Sequence, residues 1–199
     1  MQIKNAKFII SVSDSGKLPC YDKPEIAIAG KSNVGKSSFI NFICNNSKLA
    51  RTSSEPGRTR LLNYFEINGG EFYIVDMPGY GYARVSKEEK AGWGALAEGY
   101  LKNSKELKCV VLLVDIRHDP NPDDRLLLNF MHASNIPFAV VATKGDKLSR
   151  QQSFNRRAEI AACLNIGRDD VLTVSSLKKT GLEEILNLFQ TRVHLDVGE

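Results

Sequence analysis

The sequence predicts an α/β protein: one mostly parallel sheet of six or seven strands, with one antiparallel strand and helices on both faces. Three observations carry that expectation. Short apolar runs alternate with segments of helical periodicity, the order that builds layered α/β domains. Several of these runs are apolar throughout, as strands covered on both faces require. Finally, Asn68-Gly69-Gly70 parts Leu62–Ile67 from Glu71–Asp76 in the manner of a hairpin, which introduces the antiparallel strand.

In chain order, Lys7–Val12 is a candidate extra strand within an N-terminal extension, residues 1–22, ahead of the main domain, 23–195. Ile26–Ala29 reads as the first buried strand, and Phe39, Ile40 and Ile43 mark the helix after it. Tyr73–Asp76, Cys109–Asp115, Phe138–Thr143 and Val171–Val174 are the remaining parallel strands. Ser86 with Glu89 forms a capping-box pattern before Trp93, Leu96, Ala97, Tyr100 and Leu101, whose spacing marks a core-facing stripe. Asn121-Pro122-Asp123-Asp124 supplies a cap, a tolerated first-turn proline and acidic charge that suits a helix start. Ser149 with Gln152 opens a helix with a weaker apolar stripe. Thr180 with Glu183 repeats the capping box before Leu182, Ile185, Leu186 and Phe189.

Composition limits the classes of function. The 199 residues are 42% apolar and 25% charged, which excludes a disordered, collagen-like or disulfide-built chain. The longest apolar run, Cys109 to Val114, is too short to span a bilayer, and Lys4, Lys7, Asp14 and Lys17 interrupt any export-signal pattern. A cytoplasmic protein without a membrane partner is expected. Cys20, Cys44, Cys109 and Cys163 stand apart, and His118, His132 and His194 form no H-E-x-x-H pattern, so zinc is not expected. The net charge of +4 is too small to imply nucleic acid by itself. Arg156-Arg157, Lys178-Lys179 and Lys102/Lys105/Lys108 could meet RNA phosphates or form solvated faces.

The segment Gly30-Lys31-Ser32-Asn33-Val34-Gly35-Lys36-Ser37 fits G-x-x-x-x-G-K-[ST] between a strand and a helix. Glycines allow the backbone to wrap and aim several N–H groups at phosphate oxygens, helped by the helix N-terminus. Lys36 then neutralises the β- and γ-phosphates and Ser37 ligates magnesium. Asp76 ends its strand and opens Asp76-Met77-Pro78-Gly79; its carboxylate can hold the magnesium shell through water, and the Gly79 N–H can approach the γ-phosphate.

Guanine is the expected base. Thr143-Lys144-Gly145-Asp146 again follows an apolar strand, and the Asp146 carboxylate can accept from the guanine N1–H and N2–H₂ groups, a donor pair that adenine lacks. The aliphatic stem of Lys144 can cover the base. After the last strand, Ser175-Ser176-Leu177 offers backbone groups to the guanine O6, or else caps the next helix; Val174, which ends that strand, is counted with Ser175 and Ser176 among the nucleotide contacts.

Together with Pro56-Gly57-Arg58-Thr59-Arg60, Asp76–Tyr82, Asp115-Ile116-Arg117-His118 and Ser175–Gly181, these motifs resemble the EngB family of bacterial GTPases over roughly Phe8 to Phe189. The resemblance implies a Ras-like fold, GTP/GDP and magnesium as ligands, a role in large ribosomal subunit assembly with rRNA contact, and a need in cell division and septation. It also implies that Thr59 is the second magnesium-ligating hydroxyl, and that Gly57, Arg58, Thr59, Arg60 and Leu61 contact nucleotide or respond to its γ-phosphate. A monomer is expected.

Catalysis would rest on Lys36, Thr59 and Gly79. Tyr80 stands where Ras-like enzymes commonly carry a water-orienting glutamine, so intrinsic hydrolysis should be slow and partner-stimulated. Arg58 and Arg60 could stabilise charge, or face RNA or solvent. Asn33 could bind potassium near the phosphates, or simply brace its own loop. Thr143, where many GTPases have asparagine, should keep the Asp146 selectivity but loosen support of the phosphate loop. Loops Arg51–Leu61 and Pro78–Val85 are the expected switches. An ATP-dependent kinase or ATPase, which Asp146 disfavours, and a nucleotide-gated binding module with negligible hydrolysis are the competing functions.

Overall fold

The computed structural model describes residues 1–50, 61–81 and 87–194, and of 87–93 the backbone only. Among these residues there are seven strands: β1 (Ala6–Val12), β2 (Glu25–Gly30), β3 (Leu62–Ile67), β4 (Phe72–Asp76), β5 (Leu107–Asp115), β6 (Phe138–Thr143) and β7 (Val171–Thr173). They form one sheet in the order β1-β3-β4-β2-β5-β6-β7. Of the seven, β3 runs against the rest, antiparallel to both β1 and β4; the other pairings are parallel. The hairpin between β3 and β4 turns at Asn68, Gly69 and Gly70, all with positive φ, and closes through Gly70 N–H to Ile67 O at 3.1 Å. Expected strand limits shift only at ends: β5 starts two residues earlier, and β7 stops at Thr173, although Val174 N–H still donates to Ala142 O.

Five α-helices of the described residues cover the sheet: α1 (Lys36–Ile43), α2 (Lys87–Asn103), α3 (Pro122–Ala133), α4 (Arg150–Leu164) and α5 (Leu182–His194). Two of the expected caps form as capping boxes: Asn121 with Asp124 starts α3, and Ser149 with Gln152 starts α4. The start of α5 differs from expectation. The helix begins at Leu182, behind Gly181, because Thr180 is paired with Ser175 through two backbone hydrogen bonds of 3.1 Å. Ser86 and the Trp93 side chain lie outside the described residues.

The apolar runs serve two faces at once, because neighbouring side chains of a strand point to opposite sides. Ala27, Val75, Val110, Leu112 and Val140 pack beneath α2, α3 and α4, against Tyr100, Leu128, Met131 and Ile160. Ile26, Ile28, Ile74, Val111 and Leu113 pack beneath α1 and α5, against Phe39, Ile40, Ile185 and Phe189. Cys44 and Cys109 sit in this interior, where burial pushes their thiols up to about 12 and about 11. Among the described residues, no helix is long and apolar enough to cross a membrane.

Candidate functional site

The strand order places one location apart from the rest. From β2 the chain moves to the β3/β4 side and then returns past β2 to β5, so the carboxyl end of β2 lies at a topological switch point. Open α/β sheets bind ligands outside the carboxyl ends of their strands at such a point. The segment Gly30–Ser37 begins there.

Backbone conformation shapes this loop. Gly30 has φ +155°, and a Cβ on it would stand 2.9 Å from Leu113 O, so the loop leaves the sheet where only glycine fits. Asn33 and Gly35 also have positive φ, at 63° and 108°, which turns the chain back before α1 begins at Lys36. Ser32 N–H donates to Tyr80 O at 2.8 Å, tying the loop to the segment that follows β4. Gly79 lies against it as well, since a Cβ there would be 3.1 Å from Lys36 Nζ.

Lys36 Nζ is 3.8 Å from Asp76 Oδ1, and both side chains are nearly shielded from solvent. That oxygen has no hydrogen-bond partner although it is buried. Burial pushes the Asp76 carboxyl up, while Lys36 and a hydrogen bond from Asn63 act in the opposite direction. A buried carboxylate oxygen without a donor is costly on its own. An anionic oxygen with free valence, beside a serine in the first turn of α1, suits a hydrated magnesium ion, so Asp76 and Ser37 fit that metal. The third expected ligand, Thr59, and its neighbours Gly57, Arg58 and Arg60 lie outside the described residues, whereas Leu61 is half-buried just before β3.

The residues expected at the base come together from the ends of β5, β6 and β7. The Thr143 hydroxyl lies 2.8 Å from Val34 O and 3.1 Å from Val114 O; its single proton goes to the nearer. Threonine therefore holds the phosphate loop directly, through one hydroxyl proton. Lys144 has φ 62° and bends back over the loop, so that its Nζ donates to Asn33 O at 2.9 Å and to Asp115 Oδ2 at 2.8 Å. Asp115 also takes a two-pronged bond from Arg117. Burial would raise the Asp115 carboxyl, but these donors overcome it and hold the group well below the usual carboxylate range. Asp146 Oδ1 accepts from Ser175 Oγ at 2.7 Å, and this bond lowers its titration. Gly145 N–H donates to Val174 O, and Ser175 is buried. Val34, Gly35, Thr143, Lys144, Asp146 and Ser176 share the wall of a groove of about 970 Å³.

Tyr80 pairs with the loop through its backbone, while its side chain reaches α3. It is buried, and its hydroxyl donates to Asp124 Oδ1 at 2.6 Å, inside the capping box of α3. In the sequence, Asp115 stands out only as part of a motif and Asp124 only as part of a cap. The signal that could have found Asp115 is its place at a strand end, the same position that Asp76 holds on β4.

A wrapped loop before a helix, a strand-end carboxylate and a second acid at the carboxyl ends of one sheet define a P-loop GTPase of Ras-like fold. Solved structures share it: a probable GTP-binding protein EngB (TM-score 0.68, 24% identity, 86% of this chain and 99% of that one) and Aquifex aeolicus Era bound to GDP.AlF4- (TM-score 0.69, 25% identity, 88% and 57%). A family model described as 50S ribosome-binding GTPase matches residues 25–144. The chain is 45% identical over 190 residues to the probable GTP-binding protein EngB of Caldanaerobacter subterraneus subsp. tengcongensis, covering 96% of this chain and 97% of the relative. Against that of Clostridium kluyveri it is 47% identical over 192 residues, covering 96% and 97%. The chain belongs to the EngB family of GTP-binding proteins.

Proposed function

We propose that this protein binds GTP with magnesium, hydrolyses it to GDP and phosphate, and acts as a nucleotide switch during assembly of the large ribosomal subunit, as a cytoplasmic monomer. The observation that carries this reading is the buried, unpartnered Asp76 oxygen facing Lys36 beneath a loop of main-chain donors. The loop of Gly30, Lys31, Ser32, Asn33, Val34 and Gly35 wraps the phosphates and turns toward them the main-chain amides other than those of Ser32 and Val34, which bond Tyr80 O and Lys31 O. Lys36 neutralises the phosphates. Ser37 and Thr59 would hold the magnesium ion, with Asp76 binding it through water; the ion would offset the negative charge of the phosphates. Met77 and Pro78 set the backbone that brings the Gly79 N–H to the γ-phosphate. Gly57, Arg58, Thr59, Arg60 and Leu61 respond to that phosphate as the first switch.

Guanine sits between the stem of Lys144 and the carboxylate of Asp146, with Thr143, Gly145, Val174, Ser175 and Ser176 shaping its pocket. The Ser175 hydroxyl keeps Asp146 ionised, ready to accept from the base.

Hydrolysis by the isolated protein is slow. The Tyr80 hydroxyl is committed to Asp124 and so is not available to orient the attacking water. A ribosomal partner would supply the missing order. The name of the matching family model, with its 50S ribosome, supports that partner; Era, a structural neighbour, has been solved with MgGDPNP and a segment of 16S ribosomal RNA. A link to cell division and septation would follow from ribosome supply. Asn33, exposed at the crest of the loop, is a candidate potassium ligand; equal turnover in sodium and potassium would remove that role.

Single-turnover phosphate release with and without isolated large subunits tests the reading, together with cosedimentation in GDP and in a nonhydrolysable GTP analogue. Stimulated release and nucleotide-dependent binding are expected. Binding indifferent to nucleotide would overturn the switch, and no release under any condition would favour a nucleotide-gated binding module.

A further inference from the structure

Asp76 has Lys36 beside it at the strand end and Asn63 on the neighbouring strand β3. Asn63 stands directly opposite it in the pairing of β3 with β4 and acts on its carboxyl as a side-chain donor. A carboxylate only accepts, which fixes the Asn63 amide: the NH₂ points at Asp76 and the carbonyl Oδ1 points the other way. That carbonyl lies 2.7 Å from Ser11 Oγ, so the serine hydroxyl must donate to it. The three side chains form a directed row, Ser11 to Asn63 to Asp76, crossing β1, β3 and β4.

The strand register explains the row. Ser11 is paired with Asn63, and Asn63 with Asp76. Directly opposed residues of antiparallel strands lie on one face with adjacent side chains. This is the face of the sheet beneath α1, because Ile74 and Phe65, two residues along from Asp76 and Asn63, pack with Phe39 and Ile40. Lys36 begins that helix. A bulge makes the alignment possible. Phe8 pairs with Phe65, yet Ile10 pairs with Tyr64, so Ile9 is the extra residue. Without it, Ile10 would oppose Asn63 and the carbonyl would face an aliphatic side chain. Bulges re-aim side chains in this way near functional sites.

We propose that Asn63 is a positioning residue, steered by Ser11, that holds Asp76 in the orientation needed to bind the magnesium water shell. The inference rests on the magnesium reading of Asp76 given above. It also gives the N-terminal strand a part in the site, because β1 supplies the hydroxyl that selects which way the Asn63 amide points. The amide in turn sets the free oxygen of Asp76 toward Lys36. Partners of a direct metal ligand are worth about 10–100-fold in its affinity; Asn63 acts through Asp76 and a water, so the low end, about tenfold, applies.

The test follows release of a fluorescent GDP analogue as free magnesium is varied, with the full chain and with the variants Asn63→Ala, Asn63→Val, Ser11→Ala and Ser11→Ala/Asn63→Ala. Asn63→Val keeps the volume and suits a strand, which guards against a folding defect in Asn63→Ala. In both Asn63 variants the magnesium concentration that half-maximally slows release should rise about tenfold. Release in excess chelator should stay within about twofold of the parent, because the phosphate loop itself is untouched. Ser11→Ala should give a smaller rise, and the double variant should match Asn63→Ala alone, since the serine acts through the asparagine. An unchanged magnesium midpoint in Asn63→Val, or an additive effect of Ser11→Ala in the double variant, would overturn the proposal. If the parent protein itself bound GDP without regard to magnesium, the reading of Asp76 would fail, and this inference with it.

Discussion

The two ends of the candidate nucleotide cleft are built by different means. The phosphate end is one contiguous stretch, Gly30–Ser37, whose donors are main-chain amides set by local conformation at Gly30, Asn33 and Gly35, with Asp76 added from the neighbouring strand. The base end draws single residues from the ends of β5, β6 and β7 and holds them by side-chain bonds: Lys144 to Asp115, and Ser175 to Asp146. Two bonds join the ends, Thr143 Oγ1 to Val34 O and Lys144 Nζ to Asn33 O. Affinity should therefore concentrate where amides and a buried cation meet phosphate, and selectivity where one carboxylate meets the base. The two should separate under mutation.

The largest effect is expected from Lys36→Ala. Hydrogen bonds to a charged group are worth about 1.5–3 kcal/mol, and Lys36 meets the phosphates with its ammonium, so GDP and GTP affinity should fall by about 100-fold in calorimetric titration. A loss below about tenfold would break the assignment of affinity to the phosphate end. Asp146→Asn comes next. Two hydrogen bonds to a charged acceptor are lost or weakened, and GDP binding should fall by about 100-fold. Xanthosine diphosphate should improve in the same variant, because the new amide can donate to its C2 carbonyl while accepting from N1–H. Failure of that exchange would remove Asp146 from the base.

Thr143→Val sharpens the joint between the ends. It leaves Val34 O without its donor at little change of volume, so GDP affinity should drop about tenfold, while the preference for GDP over ADP in competition stays as it was. A change in preference would show that the two ends are not separable.

The smallest effect tests stability away from both ends. Glu25 is buried at the start of β2, where it accepts from Tyr100 and Ser104 hydroxyls, and burial pushes its titration above the ordinary 4.5. The folded protein thus holds this proton more tightly than the unfolded chain. The resulting stabilisation is full below about pH 4.5 and is lost as pH rises through the folded value. Glu25→Gln, neutral throughout, should gain about 2–4 °C in Tm over the parent at pH 7, with the gap closing below pH 4.5. GDP affinity should not move.

Much of this architecture is legible along the chain. Gly30–Ser37 can be read because its chemistry is local: the glycines, the lysine and the helix start lie within eight positions. The strands are equally plain, since uninterrupted apolar runs have few other homes in a protein this size. The caps of α3 and α4 follow from side chains three residues apart. Thr180 does not start the helix because Ser175, five residues before it, pairs with its backbone.

By itself, then, the amino-acid order determined the class of fold, the phosphate loop and the carboxylates at the strand ends, because each depends on neighbours along the chain. Which acid faces which base, that Tyr80 is spent on Asp124, that Thr143 braces Val34, and that a one-residue bulge lines up Ser11, Asn63 and Asp76 were decided only in three dimensions. Such bonds join residues as far as 109 positions apart, and strand register and side-chain direction set them. Composition and periodicity carry no record of either.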